Sequence, residues 1–256
     1  MHPLAHSGCA MAAGTVPSAN IVGYTKIKLE GPLTMIAVGF DKTGEFITGG
    51  TAMTINEAFP YDSANMVASN TPGQSDQIQI FDPDKQSYDS SLNLRTSGGG
   101  TWSLGTQPAL NTFPAGTAVF YLSRKNPTAL NPVFITVAGQ VANDATRTKK
   151  ILPGLNMIAN PYPVDIPLNM VSGFGLGMQS GMVASNTPGQ SDQIQIFNSE
   201  KQAYDSSLNL RTSGGGTWSL GTQPSDSVIP AGGAVWYLSR GTNPEGFDLV
   251  FNTPIP

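Results

Sequence analysis

Four aromatic residues at equivalent places in an internal repeat are the strongest candidates for ligand binding. Trp102 and Trp218 each follow a run of three glycines, and Tyr88 and Tyr204 each precede the same Asp-Ser-Ser sequence. An exposed aromatic ring beside Asn, Asp and Gln side chains can stack on a pyranose ring while its polar neighbours form hydrogen bonds. These pairs predict two equivalent sites for a polysaccharide, which would add avidity.

The two tryptophans also have a purely structural interpretation, in which each indole anchors the core of a β-sandwich. Thr101 and Ser103 are polar and Leu104 is apolar, so a strand here would turn Trp102 and Leu104 toward one inward face. The sequence leaves the binding and the core interpretations open.

Acidic residues form a second cluster, which could serve a metal ion. Its members in the first copy are Asp76, Asp82, Asp84 and Asp89, and their counterparts are Asp192, Asn198, Glu200 and Asp205. Calcium binds several oxygen ligands close together, but no Asp-x-Asp-x-Asp-Gly loop is present. The cluster is therefore more typical of turn residues and solvated charges than of a calcium site, and we predict no metal site.

Arginines are also repeated, although the chain has few charges. Arg95 and Arg124 in the first copy correspond to Arg211 and Arg240 in the second. Asp76 and Asp89 could be their ion-pair partners, either within one domain or across a subunit boundary.

The residues of common catalytic sites are missing from most of the chain. The only cysteine is Cys9, and the only histidines are His2 and His6. Ser-His-Asp and Cys-His catalysis need a histidine beside the nucleophile inside the fold, and zinc sites need several Cys or His ligands. A carboxylate pair remains open as a hydrolytic site, because 17 acidic residues always offer pairs. We predict a protein that is not an enzyme and holds no cofactor.

Composition narrows the partners and the fold class. Charged residues make up 12% of the 256 positions and the net charge is -4, so no basic stripe exists to neutralise phosphates and nucleic acid is not expected as a partner. The 29 glycines and 20 prolines are natural for a β-protein with many turns. No apolar run approaches the length of a transmembrane helix, so none is predicted.

The internal repeat determines the predicted domain organisation. Residues 66–108 and 182–224 are identical at 39 of 43 positions, at a fixed offset of 116, and the similarity continues more loosely on both sides. Such a period is too long for a solenoid repeat and has the size of a small domain. We predict a first β-domain over residues 20–142 and a second over 143–256. Gene conversion or a shared surface constraint could explain the uneven identity.

Alternating and continuous apolar patterns predict the strands of these domains. In the first copy they predict strands over 24–29, 34–38, 77–81, 118–123 and 133–141, and a short helix over 54–59. About seven short strands in each copy are typical of a sandwich or barrel. The predicted fold class is all-β, with two tandem β-sandwich-like domains and little helix.

The N-terminal residues 1–19 have two interpretations. Ala10-Met11-Ala12 has the small-x-small form of an export-signal cleavage site, but the stretch lacks a basic start and an apolar core, so it could equally be a disordered tail. The segment from Ala13 to Val22 could add a strand to the sheet of a neighbouring molecule through Val16, Ile21 and Val22. The C-terminal residues 251–256 are a second donor candidate, although their prolines limit pairing.

The pattern resembles a domain of secreted, mostly uncharacterised proteins from bacteria of the Planctomycetes–Verrucomicrobia type. Such domains open with a strand and a Gly-x-Asn-x-Ile-x-Asn-Pro block, which residues 154–161 match, and continue with a strand like 192–197, a Trp like Trp218 and a turn like 230–232. The first copy departs from the block at Thr34, Val38 and Gly39. The resemblance implies export and a β-sandwich, and it brings no catalytic residues.

Two functions follow from these observations. The first is a non-catalytic structural protein of the extracellular space or cell surface, a self-assembling subunit of a fibre or layer joined through β-edges or the N-terminal segment. The alternative is a carbohydrate-binding module that uses the paired aromatic residues.

Overall fold

The computed structural model describes residues 22–42, 52–71, 73–141 and 144–253. These residues form two similar β-units, called here the first unit (22–141) and the second unit (144–253). The all-β fold class and the duplicated, sandwich-like arrangement predicted from the sequence are confirmed. The predicted boundary between the domains falls at residues 142 and 143, outside the described residues.

The first unit contains twelve strands and one short helix among its described residues. The strands are β1 (Val22–Leu29), β2 (Leu33–Val38), β3 (Met53–Thr54), β4 (Gln77–Gln79), β5 (Phe81–Asp82), β6 (Ser87–Tyr88), β7 (Leu92–Arg95), β8 (Thr101–Leu104), β9 (Gln107–Pro108), β10 (Thr112–Phe113), β11 (Thr117–Leu122) and β12 (Val133–Gln140), and the helix is α1 (Ile55–Ala58). The helix lies where the sequence predicts it, because Thr54 and Glu57 form a capping box at its start.

The second unit repeats this order without the helix. Its strands are β13 (Thr146–Ile151), β14 (Gly154–Ala159), β15 (Ile166–Pro167), β16 (Gln193–Gln195), β17 (Phe197–Asn198), β18 (Ala203–Tyr204), β19 (Leu208–Arg211), β20 (Thr217–Leu220), β21 (Gln223–Pro224), β22 (Val228–Ile229), β23 (Ala234–Ser239) and β24 (Phe247–Asn252). The glycine-rich residues 173–177 form a turn at Gly173, a bend at Gly175 and a single β-bridge from Phe174 to Val171 in place of α1, consistent with the low helix propensity of glycine.

Each unit is built on a six-stranded antiparallel sheet. The strand order is β2-β11-β4-β7-β8-β9 in the first unit and β14-β23-β16-β19-β20-β21 in the second. A two-stranded ribbon, β1-β12 or β13-β24, covers the inner face of its sheet. Ile27 and Ile135 of the first ribbon belong to the same core cluster as Ile36 and Val119 of the first sheet, so the unit is a layered sandwich.

The opposite faces of the two sheets pack against each other. A third apolar cluster joins the units, and its buried members are Met35, Ala37, Ala118, Phe120, Met157, Ala159, Ala234 and Trp236. Strand β2 is therefore buried on both faces, and so is β14, which explains why apolar residues in both follow one another without alternation over Met35–Val38 and over Met157–Ala159. The alanines at this cluster allow the sheets to approach closely.

A buried aspartate holds each unit's loops to its sheet. Asp76 accepts hydrogen bonds from the Tyr121 hydroxyl (2.6 Å), the Arg124 amide (2.6 Å) and the Val67 amide (3.1 Å). Asp192 repeats this network with Tyr237, Arg240 and Val183. Burial, together with the adjacent carboxylate, raises the pKa of Tyr121 and of Tyr237 above the usual tyrosine range.

The network corrects the predicted ion pairs. Asp76 takes the backbone amide of Arg124 and not its guanidinium. The Arg95 guanidinium donates to the Gly105 carbonyl oxygen at 3.2 Å, and Arg211 does the same to Gly221. Arg95 and Arg211 thus cap turns, since their donors match backbone carbonyls that a short hairpin leaves open.

Candidate functional site

The predicted aromatic candidates separate into a buried and a half-exposed pair. Trp102 and Trp218 are 0% exposed, and each packs edge-to-face on a core tyrosine. Tyr88 and Tyr204 are 44% and 48% exposed. The core interpretation therefore describes the tryptophans, and a stacking role does not fit them, because neither indole offers a face to a ligand.

One detail of the core interpretation also needs correction. Leu104 was expected to share the inward face of Trp102, yet it is half-exposed and Ser103 is buried instead. The strand ends at Leu104 in a turn at Gly105, so the alternation predicted for a longer strand does not hold at its last residue.

The two tyrosines meet in a groove between the units. Tyr88 lies on hairpin β5-β6 and Tyr204 on hairpin β17-β18, and both hairpins reach the cluster that joins the sheets. The groove has a volume of about 360 Å³. Its lining residues are all uncharged: Phe81, Gln86, Ser87, Tyr88, Leu155, Gln195, Tyr204 and Trp236.

Trp236 forms the floor of this groove. Its ring centroid lies 4.8 Å from that of Phe81 and 6.4 Å from that of Tyr88, both in edge-to-face geometry, which is a favourable arrangement for aromatic pairs. The Trp236 indole nitrogen donates a hydrogen bond of 3.0 Å to the Tyr204 hydroxyl. This hydrogen bond from Trp236 orients the Tyr204 side chain.

Two glutamine side chains hold the hairpins against the opposite unit. The Gln86 amide donates to the Leu155 carbonyl oxygen (2.9 Å) and accepts from the Leu155 amide (2.8 Å). Gln202 makes the same two bonds to Leu33, at 2.9 and 3.2 Å. Each glutamine side chain thus pairs with an edge strand as a peptide group would, and the contact is reciprocal, like that of a two-fold dimer.

The backbone is locally strained at both glutamines that make this contact. Gln86 and Gln202 have φ values of 51° and 52°, a left-handed conformation that is uncommon for residues other than glycine. Gly154 lies opposite, and a Cβ atom there would come within 2.6 Å of the Gln86 side-chain oxygen. Strain of this kind persists only where the surroundings hold it, as the four hydrogen bonds do here.

The electrostatics of the groove favour the neutral tyrosine. Burial raises the pKa of Tyr88 to about 12, and the nearby Tyr204 adds to this shift. The Tyr204 phenol is thus close enough to affect the ionisation of Tyr88. The groove remains uncharged throughout the neutral range, because no acidic or basic side chain lines it.

The remaining sequence candidates do not assemble into a site. No group of three or more His, Cys, Asp or Glu residues that could hold a metal ion occurs in the described part of the chain. Val22 opens β1 and lies opposite Gln140 of its own ribbon, so it is already paired within the chain. Val16 and Ile21 lie outside the described residues.

Sequence reasoning missed Trp236, Gln86 and Gln195 as parts of the groove. A usable signal was present for the first, since Trp236 replaces Phe120 in an otherwise similar strand and alternates with Val235 and Tyr237. Alternation places Trp236 on the outer face of its sheet. Nothing in the sequence indicates that this outer face meets the other unit.

Comparisons with protein-family models, curated proteins and solved structures give no match for this chain. The resemblance to secreted bacterial β-domains therefore stays an expectation. Across the described residues, no helix is long and apolar enough to span a membrane.

The raised pKa of Tyr88 gives a test of the groove. In the folded protein the Tyr88 phenol should ionise with a midpoint near 12, whereas the unfolded chain ionises at its ordinary value of 10.0. The stability that Tyr88 contributes is complete below pH 10 and is lost as the pH rises toward 12. NMR titration of labelled tyrosine side chains measures the midpoint, and Tyr88→Phe identifies its signal. A folded-state midpoint at the ordinary value would contradict the geometry.

Proposed function

We propose that the protein is a non-catalytic, exported binding module that holds a neutral saccharide in the groove between its two units. The observation that carries this proposal is the convergence of Tyr88 and Tyr204, one from each unit, over the Trp236 floor. Export follows from the sequence resemblance and stays a prediction.

The chemistry of the groove suits a sugar ring. Tyrosine combines an apolar ring face with a polar tip, so it can cover the C–H face of a pyranose and still hydrogen-bond to a hydroxyl group. Ser87 and Gln195 add polar side chains beside these rings. A ligand pocket of this type is mostly aromatic with a few polar groups that fix orientation.

The absence of charge in the lining of the groove points to a neutral ligand. An acidic sugar or a phosphate would leave its charge without a partner among the lining side chains, and this costs free energy in a partly buried site. The rigid hairpins reduce the other main cost of binding, because the Gln86 and Gln202 amides hold the rings before the ligand arrives.

Removal of either tyrosine ring should weaken binding. We expect Tyr88→Ala and Tyr204→Ala each to reduce affinity for a neutral oligosaccharide by about tenfold or more, since aromatic anchors dominate binding energy. An array of neutral oligosaccharides identifies the probe, and calorimetry then measures the affinities. Tyr24→Ala is the matched control, because Tyr24 is exposed on β1 and does not line the groove.

Two outcomes would refute this proposal. One is an affinity in the Tyr88→Ala/Tyr204→Ala double variant equal to that of the Tyr24→Ala control, with both variants folded by circular dichroism. The other is an array in which no neutral saccharide binds the intact protein.

A second candidate function is the self-assembling structural subunit, and one observation favours it. The identical segments place the same half-exposed leucine at the end of the strand next to the sheet edge, Leu104 at the end of β8 and Leu220 at the end of β20. A molecule with two equal surfaces of this kind can join two copies of one partner, and a contact between its own copies that does not close produces a filament.

The free edges of the sheets do not favour strand addition. Each six-stranded sheet ends in a two-residue strand that contains a proline, Pro108 in β9 and Pro224 in β21. Short edge strands with proline are a common protection against edge-to-edge pairing. Assembly would therefore use side chains such as Leu104 and Leu220, or the N-terminal segment that precedes β1.

Electron microscopy separates these routes. If purified protein forms filaments in negative stain, the double variant Leu104→Ser/Leu220→Ser should abolish them, while deletion of residues 1–21 should leave them intact. The reverse result would favour donation of the N-terminal segment. Dispersed particles at all concentrations would exclude the structural candidate.

A further inference from the structure

In each half of the molecule, the two-stranded ribbon of one unit lies near a turn of the opposite unit. These two junctions are equivalent in the repeat, but their structures differ. At one junction the turn at Gly232 lies against the first ribbon, since a Cβ atom on Gly232 would come within 2.8 Å of Ile27 and 3.0 Å of Thr25. At the other junction a Cβ atom on Gly116 would meet only Pro161, at 3.5 Å. A cleft of about 480 Å³ opens there.

The open junction carries basic residues where the closed one carries Thr25 and Ile27. Ile27 lies opposite Ile135 in the first ribbon, and Lys149 lies opposite Leu249 in the second. The same register places Arg147 at the position of Thr25. Because the first unit folds with an isoleucine in this place, the fold does not require the lysine.

The guanidinium of Arg147 already has partners. It forms ion pairs with the carboxylates of Asp41 in the first unit and Asp144 beside it, the latter at 2.7 Å. Burial raises the pKa of the Asp41 carboxyl group, whereas the hydrogen bond and positive charge of Arg147 lower it. These three groups therefore form an ion-paired cluster that links the units at one wall of the cleft.

Lys149 differs from Arg147, because none of the described residues forms a hydrogen bond or an ion pair with its amine. Burial lowers the pKa of Lys149, and no neighbouring charge offsets this effect. The residue lines the cleft beside Thr148, Thr146 and Phe251. The ammonium group of this partly buried side chain loses part of its hydration and gains no counter-charge among the described residues, which costs free energy unless a ligand supplies one.

We propose that the cleft between the turn at residues 114–117 and strand β13 is a second binding site, which takes a small oxyanion group on the amine of Lys149. The group is a carboxylate, a sulfate or a phosphate, since each offers the acceptor oxygens that an ammonium and threonine hydroxyls can meet. This site is distinct from the uncharged groove, with which it shares no lining residue.

NMR titration of the intact protein tests this site with three probes. Sodium acetate, sodium sulfate and sodium phosphate are added at constant ionic strength, with sodium chloride as the balancing salt. At least one probe should shift the Lys149 Cε signal in a saturable manner, and the comparison of acetate with the other two distinguishes a carboxylate from a sulfate or phosphate ligand. The Lys150 signal should not saturate, because Lys150 is exposed on the other side of the same strand.

The variant Lys149→Ile provides the decisive comparison, since it restores the residue that the first unit has. It should fold. The affinity for the probe, read from the saturable shifts of the amides of residues 146–148, should fall by about tenfold or more. Lys150→Ile is the matched control and should bind as the native protein does. Shifts that rise linearly with every salt, or amide shifts that are unchanged in Lys149→Ile, would overturn the proposal.

Discussion

The arrangement of the whole molecule depends on a reciprocal hydrogen bond between a glutamine side chain and an edge strand. Gln86 reaches from the first unit to Leu155, and Gln202 returns the contact to Leu33. Each amide satisfies both backbone groups of a residue that would otherwise present an open edge. The alanines between the sheets then bring Phe120 and Trp236 into contact, so that one chain has the interface of a two-fold dimer.

This interface also explains why a groove lined by aromatic rings exists between the units. The hairpins that carry the glutamines also carry Tyr88 and Tyr204, so the hydrogen bonds that join the units fix the aromatic rings at the same time. Because the glutamine hydrogen bonds already join the units, the two junctions between a ribbon and the opposite unit can differ in structure. One closes on Ile27, and the other keeps the cleft beside Lys149.

The sequence predicted the strands, the helix and the duplication because these follow from local periodicity and from direct repetition. It could not predict the pairing of the units, since Met35 and Ala37 look like core residues whichever sheet they meet. The tryptophans were ambiguous for a similar reason: burial of Trp102 depends on contacts with Phe59 and Tyr121, which lie far from it in sequence. The repeat predicted two equivalent tyrosine sites, one in each copy, whereas Tyr88 and Tyr204 line a single groove. Their convergence depends on the interface and on Trp236.

A nuclear Overhauser experiment on the intact protein tests the packing of the two units most directly. The packing of the units predicts cross-peaks from the Trp236 indole N–H to ring protons of Tyr204, because the indole nitrogen lies 3.0 Å from the Tyr204 hydroxyl. It also predicts cross-peaks between ring protons of Trp236 and Tyr88, whose ring centroids lie 6.4 Å apart in edge-to-face geometry across the two units. Cross-peaks between Trp102 and Tyr121 within the first unit serve as the internal reference. A spectrum that contains the reference peaks and the Tyr204 peaks but lacks any contact between Trp236 and Tyr88 would contradict it.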